Sequence, residues 1–209
     1  MPWSATRNQL PFLTRSALPQ SRRRWLLDHF RSPAAAQRSI GVERMSTDRL
    51  IEQFAARLDR AGLLIGKIDR APWIDVFEQQ LPKRLPRSFG AFLRRYTFVP
   101  FEWGPLFFFG NSGADDERDF SVAVLRDSAM WNAMLGAGFV QFARPRGLSY
   151  DAVCFDIAES ARNREWPIVR LDHESILVRT RIEIREQVAR SFVALIEDLL
   201  ASNSEPVAD

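Results

Sequence analysis

The chain has 209 residues, enough to bury one substantial core, and its 46% of hydrophobic residues, with 16 Phe and 6 Trp, exclude disorder throughout. Its charge is uneven, because residues 1–44 carry a net charge of +6 and the remainder carries −3. DNA-binding domains normally carry a basic patch on the folded part, so we expect no nucleic-acid partner. No apolar run approaches the length of a membrane span, so no membrane association is expected either.

Residues 1–44 differ in composition from the rest of the chain. They are rich in Arg, Ser and Pro, and they contain no apolar stretch long enough for a secretory signal. Helix start signals begin directly after Met45, where Ser46 or Thr47 can cap a helix. We therefore expect residues 1–44 to be a basic disordered arm or an over-extended N-terminus. A transit peptide, or an arm that contacts acidic partners, is the alternative.

Three helices are predicted at the start of the folded part. Apolar residues recur on one face from Thr47 to a stop near Gly62. Pro72 suits a first helical turn and begins a second helix, which stops before Pro82. Pro86 begins a third, in which aromatic and leucine side chains recur at helical spacing.

Strand patterns dominate from Thr97 onward. The aromatic runs TFVPFEW and LFFFG predict two strands, and the alternation in residues 120–125 predicts another. A helix follows from Asp127 or Ser128 to Leu135. We then expect strands near residues 139–143, 152–157, 166–171 and 175–179, a helix from about Ile184, and a frayed tail at residues 203–209.

This order of elements predicts an α+β fold. Consecutive strands joined by hairpin-length turns favour a mainly antiparallel sheet of about five to six strands, flanked by N-terminal helices and a C-terminal helix. A parallel sheet would need crossover helices, and the pattern rarely offers one. We expect a single domain over residues 45–202.

The sequence offers weak support for three kinds of catalytic or metal site. The only cysteine, Cys154, forms no internal disulfide, which suits a cytoplasmic protein, and it is interpreted as an inert strand residue rather than a nucleophile paired with His173. A metal site at Asp172, His173 and Glu174, with Asp156, offers one histidine and no partner cysteine. In an extended strand, Asp172 and Glu174 would point away from His173. Acid–base catalysis by the same carboxylates is the third reading, and surface acids are commoner.

A protein-binding surface is the fourth candidate. An acidic patch would suit a basic partner, and aromatic side chains supply most of the binding energy at interfaces. The alternative is that Trp166 belongs to the core and Tyr150 to a turn. The residues predicted to bind a partner are Tyr150, Asp151, Asp156, Trp166, Asp172 and Glu174.

Several of these segments resemble the SUKH superfamily, which includes the fungal Smi/Knr cell-wall regulators and many bacterial immunity proteins. The resemblance covers roughly residues 73–200. It rests on WIDVFEQQLPKRLPRSFGAFLRRY, FFFGNSG, GFVQFARP, SYDAVCFDI and PIVRLDHESIL. The chain departs from the family pattern at Leu81-Pro82, which bears on a helix end. It also departs at Ala143 and Ala152, which bear on close backbone approach and turn shape at the strand junctions.

The resemblance implies an α+β sheet with flanking helices, no cofactor and no enzymatic activity. It also implies a bacterial immunity protein that binds and neutralises a toxin. A regulatory or scaffold module of the Smi/Knr type is the alternative, and a hydrolase using Asp172, His173 and Glu174 is a third reading.

Overall fold

The computed structural model of the chain describes residues 46–69, 71–113, 119–125, 129–147, 149–158 and 164–208. The expected arm at residues 1–44 and the start at Met45 lie outside this part. The described helices are α1 (Thr47–Arg60), α2 (Pro72–Gln80), α3 (Arg87–Arg95), α4 (Phe120–Leu125), α5 (Ala129–Gly136), α6 (His173–Arg179) and α7 (Phe192–Ala201). The described strands are β1 (Leu64–Lys67), β2 (Tyr96–Phe98), β3 (Phe101–Trp103), β4 (Leu106–Phe108), β5 (Phe139–Pro145), β6 (Ala152–Asp156), β7 (Ile168–Leu171), β8 (Ile184–Ala189) and β9 (Val207–Ala208).

The predicted α+β class and the mainly antiparallel sheet are confirmed. Seven of the described strands form one sheet in the order β8-β7-β6-β5-β4-β3-β9, and β1 pairs with β2 in a small separate sheet. All pairs between these strands are antiparallel. The larger sheet thus has slightly more strands than the five to six expected.

The three N-terminal helices are also confirmed. Ser46 Oγ accepts a hydrogen bond from the Arg49 amide and caps α1, whose apolar face is buried. Pro72 stands at the first position of α2, and Pro86 precedes the first residue of α3. These helix starts follow from local sequence, which is why periodicity and capping were sufficient to predict them.

The large sheet separates two hydrophobic cores. On β6, Val153 and Phe155 belong to the first core, whereas Ala152 and Cys154 belong to the second. This division agrees with the predicted alternation of strand residues. The first core includes buried residues from α1, α2, α3, α4 and α7, and the second includes residues from α5 and α6.

Aromatic rings hold the first core together. Phe54 on α1 stacks on Trp103 of β3, with ring centroids 5.0 Å apart. Phe89 on α3 contacts Phe155 and Phe192, each at 5.0 Å between ring centroids. The helices are therefore fixed to the sheet by interlocking rings, and truncating a buried phenylalanine of this kind to alanine typically costs about 3–5 kcal/mol.

Several predictions of local structure were wrong. The run TFVPFEW forms two strands, β2 and β3, which belong to different sheets, rather than one strand. Residues 120–125 form α4 rather than a strand, because Phe120, Ala123 and Val124 are buried at helical spacing and Asp119 accepts hydrogen bonds from the Ser121 amide and hydroxyl. Residues 175–179 belong to α6, not to a fourth strand.

A further error concerns the C-terminal helix, which was expected from Ile184. Residues Ile184–Ala189 instead form β8, and α7 starts after Ser191, whose Oγ accepts from the Ala194 amide. The end of the chain also differs from the expected frayed tail. Val207–Ala208 pairs with β3, and Trp103 Nε1 donates to the Ser204 carbonyl over 3.1 Å.

In the part of the chain that the structure describes, no helix is both long enough and apolar enough to cross a membrane.

Candidate functional site

Asp151 lies at one end of the sheet, where four elements meet. It precedes β6, and the pairing of Ala152 with Leu171 brings it beside Asp172 at the end of β7. The Asp172 amide donates to the Glu183 carbonyl over 2.9 Å, which brings the start of β8 to the same place. The first residue of α6 follows directly after Asp172.

The Asp151 carboxylate is buried and is surrounded by cationic and donor groups. Its Oδ1 accepts from the His173 amide over 3.2 Å, and His173 Nδ1 lies 2.8 Å away. Its Oδ2 lies 3.3 Å from Arg185 Nη1 and 3.1 Å from Arg170 Nε. The Arg170 contact is close enough for an ion pair but is not aligned for a hydrogen bond. Asp151 is therefore the centre of a charge network.

Asp172 is the helix cap of this network. Its Oδ1 accepts from the Glu174 amide over 3.0 Å and the Ser175 amide over 3.3 Å, and Arg185 Nη2 lies 3.1 Å away. Burial alone would raise the pKa of Asp172, but these hydrogen bonds and the Arg185 charge hold it below its ordinary value. Burial would lower the pKa of Arg185, but the charges of Asp151 and Asp172 raise it above its ordinary value.

The expected split of Asp172, His173 and Glu174 across two faces of a strand was wrong. The triplet turns into α6, because Asp172 caps the helix instead of extending β7. His173 then points its ring towards Asp151, and since a carboxylate accepts, Nδ1 carries the hydrogen and donates it. The ring of Tyr150 lies on the same side, with its centroid 5.9 Å from that of His173.

The structure separates the residues that were predicted to bind a partner. Tyr150, Asp151, Asp172 and Glu174 meet at this end of the sheet, while Asp156 lies at the other end of β6. Asp151, Asp156 and Trp166 are all buried, so they cannot form an exposed acidic and aromatic patch. For Trp166 the alternative interpretation, a core residue, is correct. Tyr150 is 70% exposed, and its role as an aromatic anchor stays a prediction.

Cys154 is a packed core thiol, as its strand position indicated. It is fully buried in the second core. Burial, and secondarily the charge of Asp156, raises the pKa of the Cys154 thiol well above its ordinary value, so the reactive thiolate is disfavoured.

A set of exposed groups lies next to the charge network, and we call it the α6 surface: Tyr150, Glu174, Leu177 and Val178. Leu177 is 59% exposed and Val178 is 80% exposed. Leu177 follows His173 by one helical turn, so it lies on the same side of α6 as the ring that contacts Tyr150. Apolar and aromatic groups rimmed by charge are typical of a protein contact surface.

The network is poorly suited to hold a metal ion. Ligand atoms of Asp151, Asp172 and His173 lie within 4.8 Å of one another, which is a possible metal geometry. The guanidinium groups of Arg170 and Arg185, however, already contact these carboxylates. A divalent cation there would be repelled by two fixed positive charges. The carboxylates are instead the ion-pair partners of the two arginines.

The Asp151–His173 pair has the geometry of a base held by an orienting carboxylate. Within the described residues, however, no hydroxyl or thiol hydrogen-bonds to the His173 ring.

The sequence did not reveal Arg170 or Arg185 as members of the charge network. The available signal was an arginine inside the otherwise apolar strand IVRL, because a charge in such a strand requires a partner.

No protein-family model matches the chain, and no curated protein matches its sequence significantly.

Proposed function

We propose that this chain is a non-enzymatic, cytosolic binding protein of the toxin-immunity type. It neutralises a cognate bacterial toxin by stoichiometric binding, with the α6 surface as the contact. The single observation that supports this proposal is the exposure of Tyr150, Leu177 and Val178 directly beside a buried charge network. The resemblance of the sequence to SUKH proteins points to the same class of function.

The charge network makes the α6 surface rigid before a partner arrives. Asp151 holds the first residue of α6 through the His173 amide and ring, and Asp172 caps the same helix. A surface held in place loses little conformational entropy when it binds, so more of its contact energy appears as affinity. Arg185 and Glu174 add charges of both signs at the rim, which favour a partner of complementary pattern.

Mutations on the α6 surface test the proposal. The full chain is purified together with the products of adjacent genes, and any toxic product is used in a growth-rescue assay. Leu177→Asp and Tyr150→Ala should each weaken binding by about tenfold or more and abolish rescue, because each removes an apolar anchor. Val76→Asp is the matched control, because Val76 is 58% exposed on α2. Equal loss in the control, or no loss in either α6 variant, contradicts the site assignment.

A regulatory or scaffold module of the Smi/Knr type is the second binding function. It predicts a stable partner that is not toxic and no effect on growth rescue. The two binding functions therefore differ in the growth assay, although both use the same surface.

A hydrolase is the third candidate, and the Asp151–His173 pair is the observation that favours it. The catalytic group would then be the Asp151–His173 pair rather than the triplet Asp172, His173 and Glu174, because Asp172 caps a helix and Glu174 is exposed. If the chain hydrolyses a substrate, His173→Gln should abolish turnover while Leu177→Asp preserves it. About one equivalent of bound zinc or manganese in the purified protein would also support this candidate.

A further inference from the structure

A second charged site lies on the other face of the sheet. A cleft of about 390 Å³ opens between α2, the turn before α3, and Arg164, and it is lined by four arginines: Arg84, Arg87, Arg94 and Arg164. Glu78 is the acidic residue in its lining. Helices α2 and α3 pack in the first core, whereas α6 packs in the second, so this cleft is separate from the α6 surface.

Helix α3 places two of the arginines on the same face, two turns apart. Arg87 and Arg94 are seven residues apart, which is two turns, and Ala91 lies between them in the cleft. Gly90 makes room for Arg94, because a Cβ atom at position 90 would lie 2.9 Å from Arg94 Nη1. Arg94 is held in place by Glu78 and Asp75, each 3.0 Å from Nη2.

The other three arginines have no carboxylate partner among the described residues. Arg84, Arg87 and Arg164 are exposed, and none of them forms an ion pair with a carboxylate of the described residues. Arg164 has φ 59°, a left-handed conformation that L side chains rarely adopt and that is costly for a non-glycine residue.

Nearby carboxylates neutralise this charge only in part, because the four arginines and Lys83 outnumber Asp75, Glu78 and Glu165. Glu165 accepts from the Ser88 amide over 2.9 Å and from the Ser88 hydroxyl over 2.7 Å, so it is used to cap α3. Lys83 adds a further cation close by, with its Nζ 5.0 Å from the centroid of the Trp166 ring. The cleft is therefore a concave site with a positive potential that focuses inward.

We propose that this cleft binds the diphosphate group of a small phosphorylated molecule. Guanidinium groups form paired hydrogen bonds with phosphate oxygens, and several of them converging on one cleft match a compact anion with multiple charges. A volume of about 390 Å³ lies in the range of small-ligand sites. A duplex would instead require a basic stripe along the surface, and outside residues 1–44 the chain has a net charge of −3.

Calorimetric titration of the full chain with inorganic pyrophosphate tests this proposal. Sulfate at equal ionic strength is the comparison, and it should bind at least tenfold more weakly because it carries less charge. Arg87→Ala and Arg164→Ala should each weaken pyrophosphate binding by about tenfold. Arg87→Lys keeps the charge but loses the paired hydrogen bonds, so it should give an intermediate loss.

Two control variants distinguish binding in this cleft from nonspecific attraction of pyrophosphate to other arginines. Arg179→Ala removes an exposed arginine from α6, and replacement of Arg22, Arg23 and Arg24 by alanine removes charge from the basic N-terminal segment. Both controls should bind pyrophosphate as the unmodified chain does, and circular dichroism checks that every variant is folded. The proposal is overturned if pyrophosphate does not bind, if sulfate binds equally well, or if only the N-terminal variant loses binding. A single-stranded oligonucleotide that binds through Arg87 and Arg164 when pyrophosphate does not would also overturn it.

Discussion

Replacing Asp151 by asparagine removes one buried charge and leaves the shape of the side chain almost unchanged. The Asp151 side chain is 1% exposed, so its charge is neutralised by protein groups rather than by water. In the variant, the neutral amide would face the guanidinium groups of Arg170 and Arg185. Because no cavity is created, any loss of stability reports on the charge network itself.

The expected cost is about 2–3 kcal/mol of the free energy of unfolding. Removing one partner of a buried ion pair typically costs about 3–5 kcal/mol, because an uncompensated charge remains in the interior. Here both guanidinium groups are partly solvated, and each keeps another carboxylate: Arg170 lies 2.8 Å from Glu186, and Arg185 lies 3.1 Å from Asp172. The remaining partners place the cost below the usual range.

Urea unfolding followed by circular dichroism measures this cost on the full chain. Asp48→Asn is the matched control, since it removes the same charge from an exposed pair in which Asp48 and Arg95 are 2.6 Å apart. Exposed pairs contribute about 0–1 kcal/mol, so the control should lose much less stability than Asp151→Asn. If both variants lose the same amount, the network does not stabilise the folded chain and the argument for a rigid α6 surface fails.

Four further predictions concern Asp172, Asp198, Cys154 and Gly138. Asp172→Asn should lower the urea midpoint at neutral pH, and the difference should disappear as the pH falls through the lowered pKa of Asp172, because that stabilisation requires the carboxylate form. Asp198→Asn should raise the midpoint at neutral pH, since burial raises the pKa of Asp198, and the gain should vanish in acid when Asp198 itself becomes protonated. The Cys154 thiol should react with Ellman's reagent only in urea-unfolded protein. Gly138→Ala should cost roughly 1–3 kcal/mol in urea unfolding, because φ is +85° and a new Cβ would lie 3.1 Å from the Ala158 amide nitrogen.

The longest described helix was predicted correctly because its periodicity is unambiguous. Helix α1 has a capping serine and an apolar face over 14 residues, so its prediction did not depend on tertiary contacts. Residues 120–125 are too few to distinguish an alternating pattern from helical spacing. The helix expected from Ile184 arose because Val188 and Phe192 are four residues apart by coincidence across two different elements.

The candidate site was harder to predict because its contacts join distant parts of the chain. Asp151 and His173 are 22 residues apart, and only the pairing of β6 with β7 brings them together. Asp172 was selected from the sequence as a candidate site residue, and its role depends on whether the chain extends or turns at that residue. The capping preference of aspartate was the local signal for a turn, and it was outweighed by the strand pattern before it.

The large sheet lies between the two proposed binding sites. The α6 surface belongs to elements that pack in the second core, while the arginine cleft belongs to elements that pack in the first. With a fully formed sheet between them, a protein partner on α6 and a diphosphate at Arg87 do not compete for the same groups. Any effect of one ligand on the other must pass through the packed sheet, so it requires a change in the sheet or its flanking helices. Equal pyrophosphate affinity with and without the partner is therefore the expected result, and a difference would show that the two faces are coupled.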